Sequence, residues 1–383
     1  MPSVDAIPLS SFVRDLVGPS YRDLRPLKDE TTDDFPVYPE LAQLLAGAAA
    51  EKQPVAKIAH TLAVTAGYAY SDAGTLAMMM TRLGLERAYC REIARSVDAM
   101  FIRSTAFLVQ SADGRVVILC YRGTPPLDLI SWLLDADVAL PDLPPAPAPL
   151  APGEIPVPRG SAEGWHPGFY RNVRATRPEV IRALDRAVNG TSILEGEVER
   201  SFTHAAAGST RRASGPGPLE ALYITGHSLG GAMAAVMTAM LLDTPAYGHI
   251  AAKIRGVYTF GQPMVAGQDR APMVDGLLSE RGVPMVRYVY RDDPVPCLPP
   301  SYTGTYRHFG QERHFVTSWP DRPSPTTVQS PPYRLDLATS FVAAAVRKIA
   351  PLRKVPFTKD LEDHFPLGYI TSLNPGRPSE FGD

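Results

Sequence analysis

Cysteine is scarce: Cys90, Cys120 and Cys297 are the only three in 383 residues, stand far apart and cannot all pair. Reduced or core thiols are therefore the preferred reading over a disulfide framework. Charge imbalance is also lacking. The formal net charge is −2, from 38 basic and 40 acidic residues, and no lysine- or arginine-rich block stands out. That excludes the electrostatic footprint of a nucleic-acid partner or of strong attraction to acidic membranes. No run reaches the roughly 18 apolar residues that a membrane-spanning helix requires. Residues 1–19 carry Asp5, Arg14 and Asp15 without a continuous apolar stretch, which does not read as a secretory leader. A cytoplasmic or peripherally membrane-associated address is the expectation.

What is present is apolar content, 45% of the chain, enough for one large core. Residues 1–50 read as an N-terminal extension packed on a main unit spanning 51–383. Helical spacing runs over Leu41–Ala50 and Val55–Ala69, separated by Pro54. Thr105–Gln110 and Arg115–Tyr121 are short apolar runs joined by Asp113-Gly114, a hairpin signal. Leu127–Asp135 is a very apolar helix candidate. Eight prolines fall within the eighteen residues Pro141–Pro158, which rules out regular helix or central strand. A helical pattern resumes over Pro178–Val188, and Ala205–Pro218 is a small-residue insertion. Further on, Gly256–Phe260 and Val283–Tyr290 read as strands and Leu335–Ile349 as a helix. There is no internal repeat. Strands alternating with helices over this length predict an α/β fold, a mainly parallel sheet covered by helices on both faces.

One motif carries chemistry. Gly226-His227-Ser228-Leu229-Gly230 follows the apolar run Leu222-Tyr223-Ile224-Thr225 and precedes a proline-free apolar stretch, Gly231 to Leu242. Glycines two places before and two places after a serine permit a strand to reverse sharply into a helix, so that the hydroxyl protrudes. The helix N-terminus directs N–H groups and partial positive charge at that position. Five residues alone would be weak evidence; strand and helix on either side make Ser228 the candidate nucleophile.

A nucleophilic serine needs a base and an orienting carboxylate, which follow such an elbow in the order acid, then histidine. The strand ending at Val289-Tyr290 leads into Arg291-Asp292-Asp293-Pro294. Proline restrains the residue before it, which favours Asp293 over Asp292. Of eight histidines, His308, His314 and His364 lie downstream, and chain order alone leaves all three open. Leu229 would supply one oxyanion N–H, and the Gly123-Thr124 turn the other.

Taken in order, Tyr121-Arg122-Gly123-Thr124, Trp165-His166-Pro167-Gly168-Phe169, Gly226 to Ala232, Thr259-Phe260-Gly261-Gln262-Pro263, Asp293 to Pro300 and Asp363-His364 with Tyr369 resemble the class 3 lipases, the family of the fungal triacylglycerol lipases. The likeness covers about Tyr68 to Tyr369. It implies an α/β-hydrolase fold with a lid insertion at about 125–164, no cofactor and no catalytic metal. It further implies that Ser228 is nucleophile, Asp293 acid and His364 base, with Thr124 and Leu229 as oxyanion donors. His308, His227 and His166 match structural positions of the family. The lid's apolar face would comprise Leu127, Ile130, Trp132, Leu133 and Leu134, opening at a lipid surface. The implied reaction is hydrolysis of acylglycerol esters. Phospholipase A1, general carboxylesterase or acyltransferase activity are neighbours in the same chemistry, and a non-catalytic lipase-like interaction protein is the alternative of another class. Met264, where the family often has arginine, and the long proline-rich stretch are departures that bear on substrate preference.

Overall fold

The computed structural model describes residues 12–17, 36–47, 56–97, 102–123, 164–194, 216–299, 306–315, 326–327 and 363–374. Thr124, the lid candidates, the Pro141–Pro158 stretch, most of the 205–218 insertion and the Leu335–Ile349 helix lie outside them.

The sheet is built around strands that the sequence makes apolar on both faces. β4 (Val116–Tyr121) and β5 (Ala221–His227) are buried at every position. Such strands belong in the middle of a parallel sheet. β4 and β5 are joined in parallel by β6 (Ile254–Phe260), β8 (Met285–Tyr290) and β10 (Gln311–Phe315). An antiparallel wing completes one side: β3 (Ile102–Gln110) pairs with β4, β2 (Tyr89–Val97) with β3, and β1 (Phe12–Val17) with β2. The order is β1-β2-β3-β4-β5-β6-β8-β10-β11, with β11 (Thr326–Thr327) antiparallel at the far edge. A separate small pair joins β7 (Ala266–Gly267) to β9 (Tyr306–Arg307). This is an α/β fold, with the parallel block at its centre and the antiparallel strands at its flank.

Helices cover both faces. α1 (Leu41–Gly47), α2 (Ala56–Tyr68), α3 (Ala73–Leu83) and α7 (Pro366–Leu373) share a core with Val116, Ile118, Cys120, Ala221 and Tyr223. α4 (Pro167–Val188), α5 (Leu229–Asp243) and α6 (Arg270–Arg281) share the opposite core with Val117, Leu119, Tyr121, Leu222 and Ile224. The alternation along β4 and β5 is the period-two geometry of a strand, with each face assigned to one helical layer. Each large aliphatic side chain taken fully from water contributes about 1.5–3 kcal/mol. α5 is buried at all but its last residue, consistent with an apolar stretch that has no polar side.

Two of the elements that went unread in the sequence are α3 and β2. α3 is bounded by Asp72, whose carboxylate accepts from the amides of Gly74 and Thr75, and by left-handed Gly84. β2 hides its strand pattern behind charges. Its Arg91 donates to the Ile193 carbonyl at 2.8 Å and its Arg95 pairs with Glu179 of α4. α4 also begins eleven residues before the expected start at Pro178. Pro178 removes one backbone hydrogen bond, but Phe169, Val173, Val180 and Leu184 form one buried stripe that carries the helix through it.

Candidate active site

The site lies where the parallel strands end at their carboxyl termini, the usual crevice of open α/β sheets. β5 ends at His227 and α5 begins at Leu229, so Ser228 alone makes the reversal, at φ 57° and ψ −130°. This lies outside the comfortable range for a residue with a Cβ, at a cost of about 1–3 kcal/mol that the surroundings must hold. The Ser228 amide donates to the Phe260 carbonyl at 2.8 Å and fixes the turn. The flanking glycines are required by contact. A Cβ on Gly226 would lie 2.3 Å from the Gly230 oxygen, and one on Gly230 2.1 Å from the Tyr121 oxygen.

Asp293 follows β8, and His364, 71 positions later in the chain, stands two residues before α7. The Ser228 hydroxyl and His364 Nε2 are 2.9 Å apart. His364 Nδ1 is 3.0 and 2.9 Å from the two carboxylate oxygens of Asp293. All three side chains are buried. A carboxylate only accepts, so Nδ1 carries the proton and Nε2 presents its lone pair to the serine hydroxyl. In this tautomer the imidazole can take the hydroxyl proton, and the carboxylate beside it can steady the resulting cation.

The carboxylate is held from several sides. Asp293 Oδ1 accepts from the Val295 amide at 2.9 Å. Oδ2 accepts from the Tyr369 hydroxyl, whose oxygen in turn accepts from the Tyr290 amide at 3.2 Å. Burial and the adjacent Asp293 charge hold the Tyr369 phenol well above its ordinary range, so it stays a donor. Gly261, at φ +56°, presses its backbone over the pair: a Cβ there would sit 2.7 Å from Asp293 Oδ2 and 3.0 Å from His364 Nδ1. The histidine segment is tied to the acid loop through Asp363, which accepts from the Asp292 amide at 3.3 Å and meets the Arg291 guanidinium at 3.4 Å.

The competing candidates are used otherwise. Asp292 is exposed, and its carboxylate is not the one brought to His364. His308 lies within 2.7 Å of the Pro296 carbonyl and His314 within 2.6 Å of the Arg291 carbonyl. Both therefore donate Nε2–H to the loop that carries Asp293. Burial, with Arg287 nearby, depresses His308 well below the ordinary histidine range. His166 is packed against Phe169 at 4.4 Å between ring centres, and burial lowers it to about 4. Leu229 opens α5, within the first turn whose N–H groups have no acceptor inside the helix. Thr124 and the lid residues Leu127, Ile130, Trp132 and Leu133 lie outside the described residues. Among the described residues, no group of three or more His, Cys, Asp or Glu side chains is arranged to hold a metal ion. No single described helix is long and apolar enough to cross a membrane. Sequence reading noted Gly261 and Tyr369 within motifs but not their contacts with Asp293.

A lipase (class 3) family profile matches residues 208–303, a segment holding both the elbow and Asp293. Over that segment the chain is similar to the class 3 lipases. Proteins similar to this chain include the triacylglycerol lipase OBL1 of Arabidopsis thaliana, 28% identical over 53% of this chain and 38% of that protein. Its counterpart from Ricinus communis is 26% identical over 56% and 40%. The matched region thus spans less than half the length of these curated relatives. Among solved structures, a fungal lipase–inhibitor complex is 18% identical over 83% of this chain and 96% of that one, at a TM-score of 0.47. Lipase II from Rhizopus niveus is 17% identical over 81% and 92%, at a TM-score of 0.42.

Proposed function

We propose that this chain is a serine carboxylic ester hydrolase of the triacylglycerol lipase type. Ser228 attacks the ester carbonyl, His364 takes its proton and Asp293 steadies the imidazolium. His364 then returns the proton to the leaving alcohol, and water, activated by the same imidazole, hydrolyses the acyl-enzyme. The Leu229 amide and Thr124 stabilise the oxyanion, each donor contributing roughly 10²–10³ in turnover. The observation that carries this reading is the pair of contacts made by one buried imidazole, 2.9 Å to the serine hydroxyl and 2.9 Å to the carboxylate. The triacylglycerol lipases among its relatives support acylglycerols as the substrate class. The catalytic unit of this reading is residues 51–383, with 1–50 as an extension of it.

The test is hydrolysis of chromogenic esters of increasing chain length and of emulsified triacylglycerol by the wild type and Ser228→Ala. The variant should lose activity by a factor of about 10⁴ or more. Equal rates in the two would end the assignment. Phospholipid or short soluble esters cleaved far faster than triacylglycerol would move the substrate to that of a phospholipase A1 or a general carboxylesterase.

A further inference from the structure

Directly behind the candidate base lies a second imidazole, which the mechanism above does not use. His227 is buried, and its ring centre is 4.6 Å from that of His364. His227 Nε2 lies 2.6 Å from the backbone carbonyl of His364, and its Nδ1 lies 2.8 Å from the Tyr70 hydroxyl, 157 positions away in the chain. A carbonyl oxygen can only accept, so Nε2 carries a proton. Burial is the main reason that His227 is held well below the ordinary histidine range, with the neighbouring His364 adding to it. The ring is therefore neutral, and Nδ1 must accept. The Tyr70 hydroxyl is left with one role toward it, that of donor.

This assignment matters because Tyr70 also borders the reacting atoms. The Ser228 hydroxyl neighbours the same phenol oxygen, and a Cβ on Gly123 would meet that oxygen at 2.2 Å. A phenol in that position has two possible uses: donating a hydrogen bond to an oxyanion, or bracing the imidazole. It has one proton, and the acceptor pattern of His227 takes it.

We infer that Tyr70 and His227 are positioning residues: Tyr70 fixes the His227 tautomer, and His227 Nε2–H grips the His364 carbonyl, setting the catalytic imidazole against Ser228. Tyr70 is not an oxyanion donor. The kinetic part of this inference rests on the proposed ester hydrolysis; the tautomer does not.

Two measurements test it. In wild-type protein, ¹⁵N imidazole NMR at pH 7 should find His227 neutral with its proton on Nε2. A proton on Nδ1 would overturn the brace, whether or not the chain hydrolyses esters. In ester kinetics, His227→Leu should lower kcat by about 10–100-fold with KM changed less than about two-fold. His227→Gln, which restores an N–H near Nε2, should recover most of the loss. Tyr70→Phe should lower kcat by only about 3–10-fold, and adding it to His227→Leu should cost nothing more. A Tyr70→Phe loss of about 10²-fold or greater that persists in the His227→Leu background would mean that the phenol serves the oxyanion, and the inference would fail.

Discussion

Replacing Gly261 by alanine adds one methyl group directly against the candidate acid and base. Its atoms would stand 2.7 Å from Asp293 Oδ2, 3.0 Å from His364 Nδ1 and 3.0 Å from His364 Cε1. An ordinary carbon–oxygen contact needs about 3.5 Å, so the carboxylate or the glycine backbone must retreat by several tenths of an ångström. The carboxylate has little room to do so. It is bonded to the Val295 amide, the Tyr369 hydroxyl and His364 at once. A side chain at φ +56° adds about 1–2 kcal/mol of backbone cost. We expect a stability loss of about 2–4 kcal/mol and, from a misplacement approaching 1 Å, a fall in kcat of roughly 10²-fold with KM little altered. Hydrolysis of a soluble chromogenic ester, with denaturant unfolding in parallel, reads both. Gly276→Ala is the control: the residue lies within α6 with nothing within 4 Å of the added carbon. It should gain about 0.5–1 kcal/mol and keep full activity. A Gly261→Ala enzyme within two-fold of wild-type kcat would refute the reasoning about this contact.

Tyr369→Phe removes one donor from a buried carboxylate and strands the Tyr290 amide; it should cost about 1.5–3 kcal/mol, and an unchanged unfolding midpoint would contradict that role. Acid should destabilise the fold through its buried neutral histidines. Burial lowers His60 and His166 to about 4, so below the unfolded value of 6.5 the unfolded chain binds more protons than the folded one. Their stabilising contribution is complete above pH 6.5 and falls by about 2 kcal/mol each by pH 5. Thermal unfolding followed from pH 7 to 5 should show this loss, and a shallower slope in His60→Gln; a flat profile would count against it.

The sequence makes the nucleophile legible because an elbow is local chemistry. Two glycines, an apolar strand and an apolar helix lie within some twenty residues of Ser228, and the structure has each in its place. Asp293 was readable for a related reason, since Pro294 and the end of β8 mark it. His364 was not separable from His308 and His314 by residue type or chain order, and the family motif favoured it. What distinguishes the three is which carbonyl or carboxylate each ring faces, a property of packing between β8, β10 and α7. The braces were illegible for the same reason: Tyr70 and His227 are 157 positions apart, and nothing near Tyr70 in sequence announces its partner. β2 was missed because Arg91 and Arg95 interrupt its apolar alternation, and their partners lie on the loop at Ile193 and on α4. α3, by contrast, carried its caps in plain sight at Asp72 and Gly84.

The central claim is that one imidazole activates one hydroxyl. Labelling the intact chain with an alkyl fluorophosphonate and locating the adduct by mass spectrometry tests it most directly. A single adduct on Ser228, absent in Ser228→Ala and formed at least about 10²-fold more slowly in His364→Ala, is the expected result. An adduct on another serine, or undiminished labelling in either variant, would contradict it.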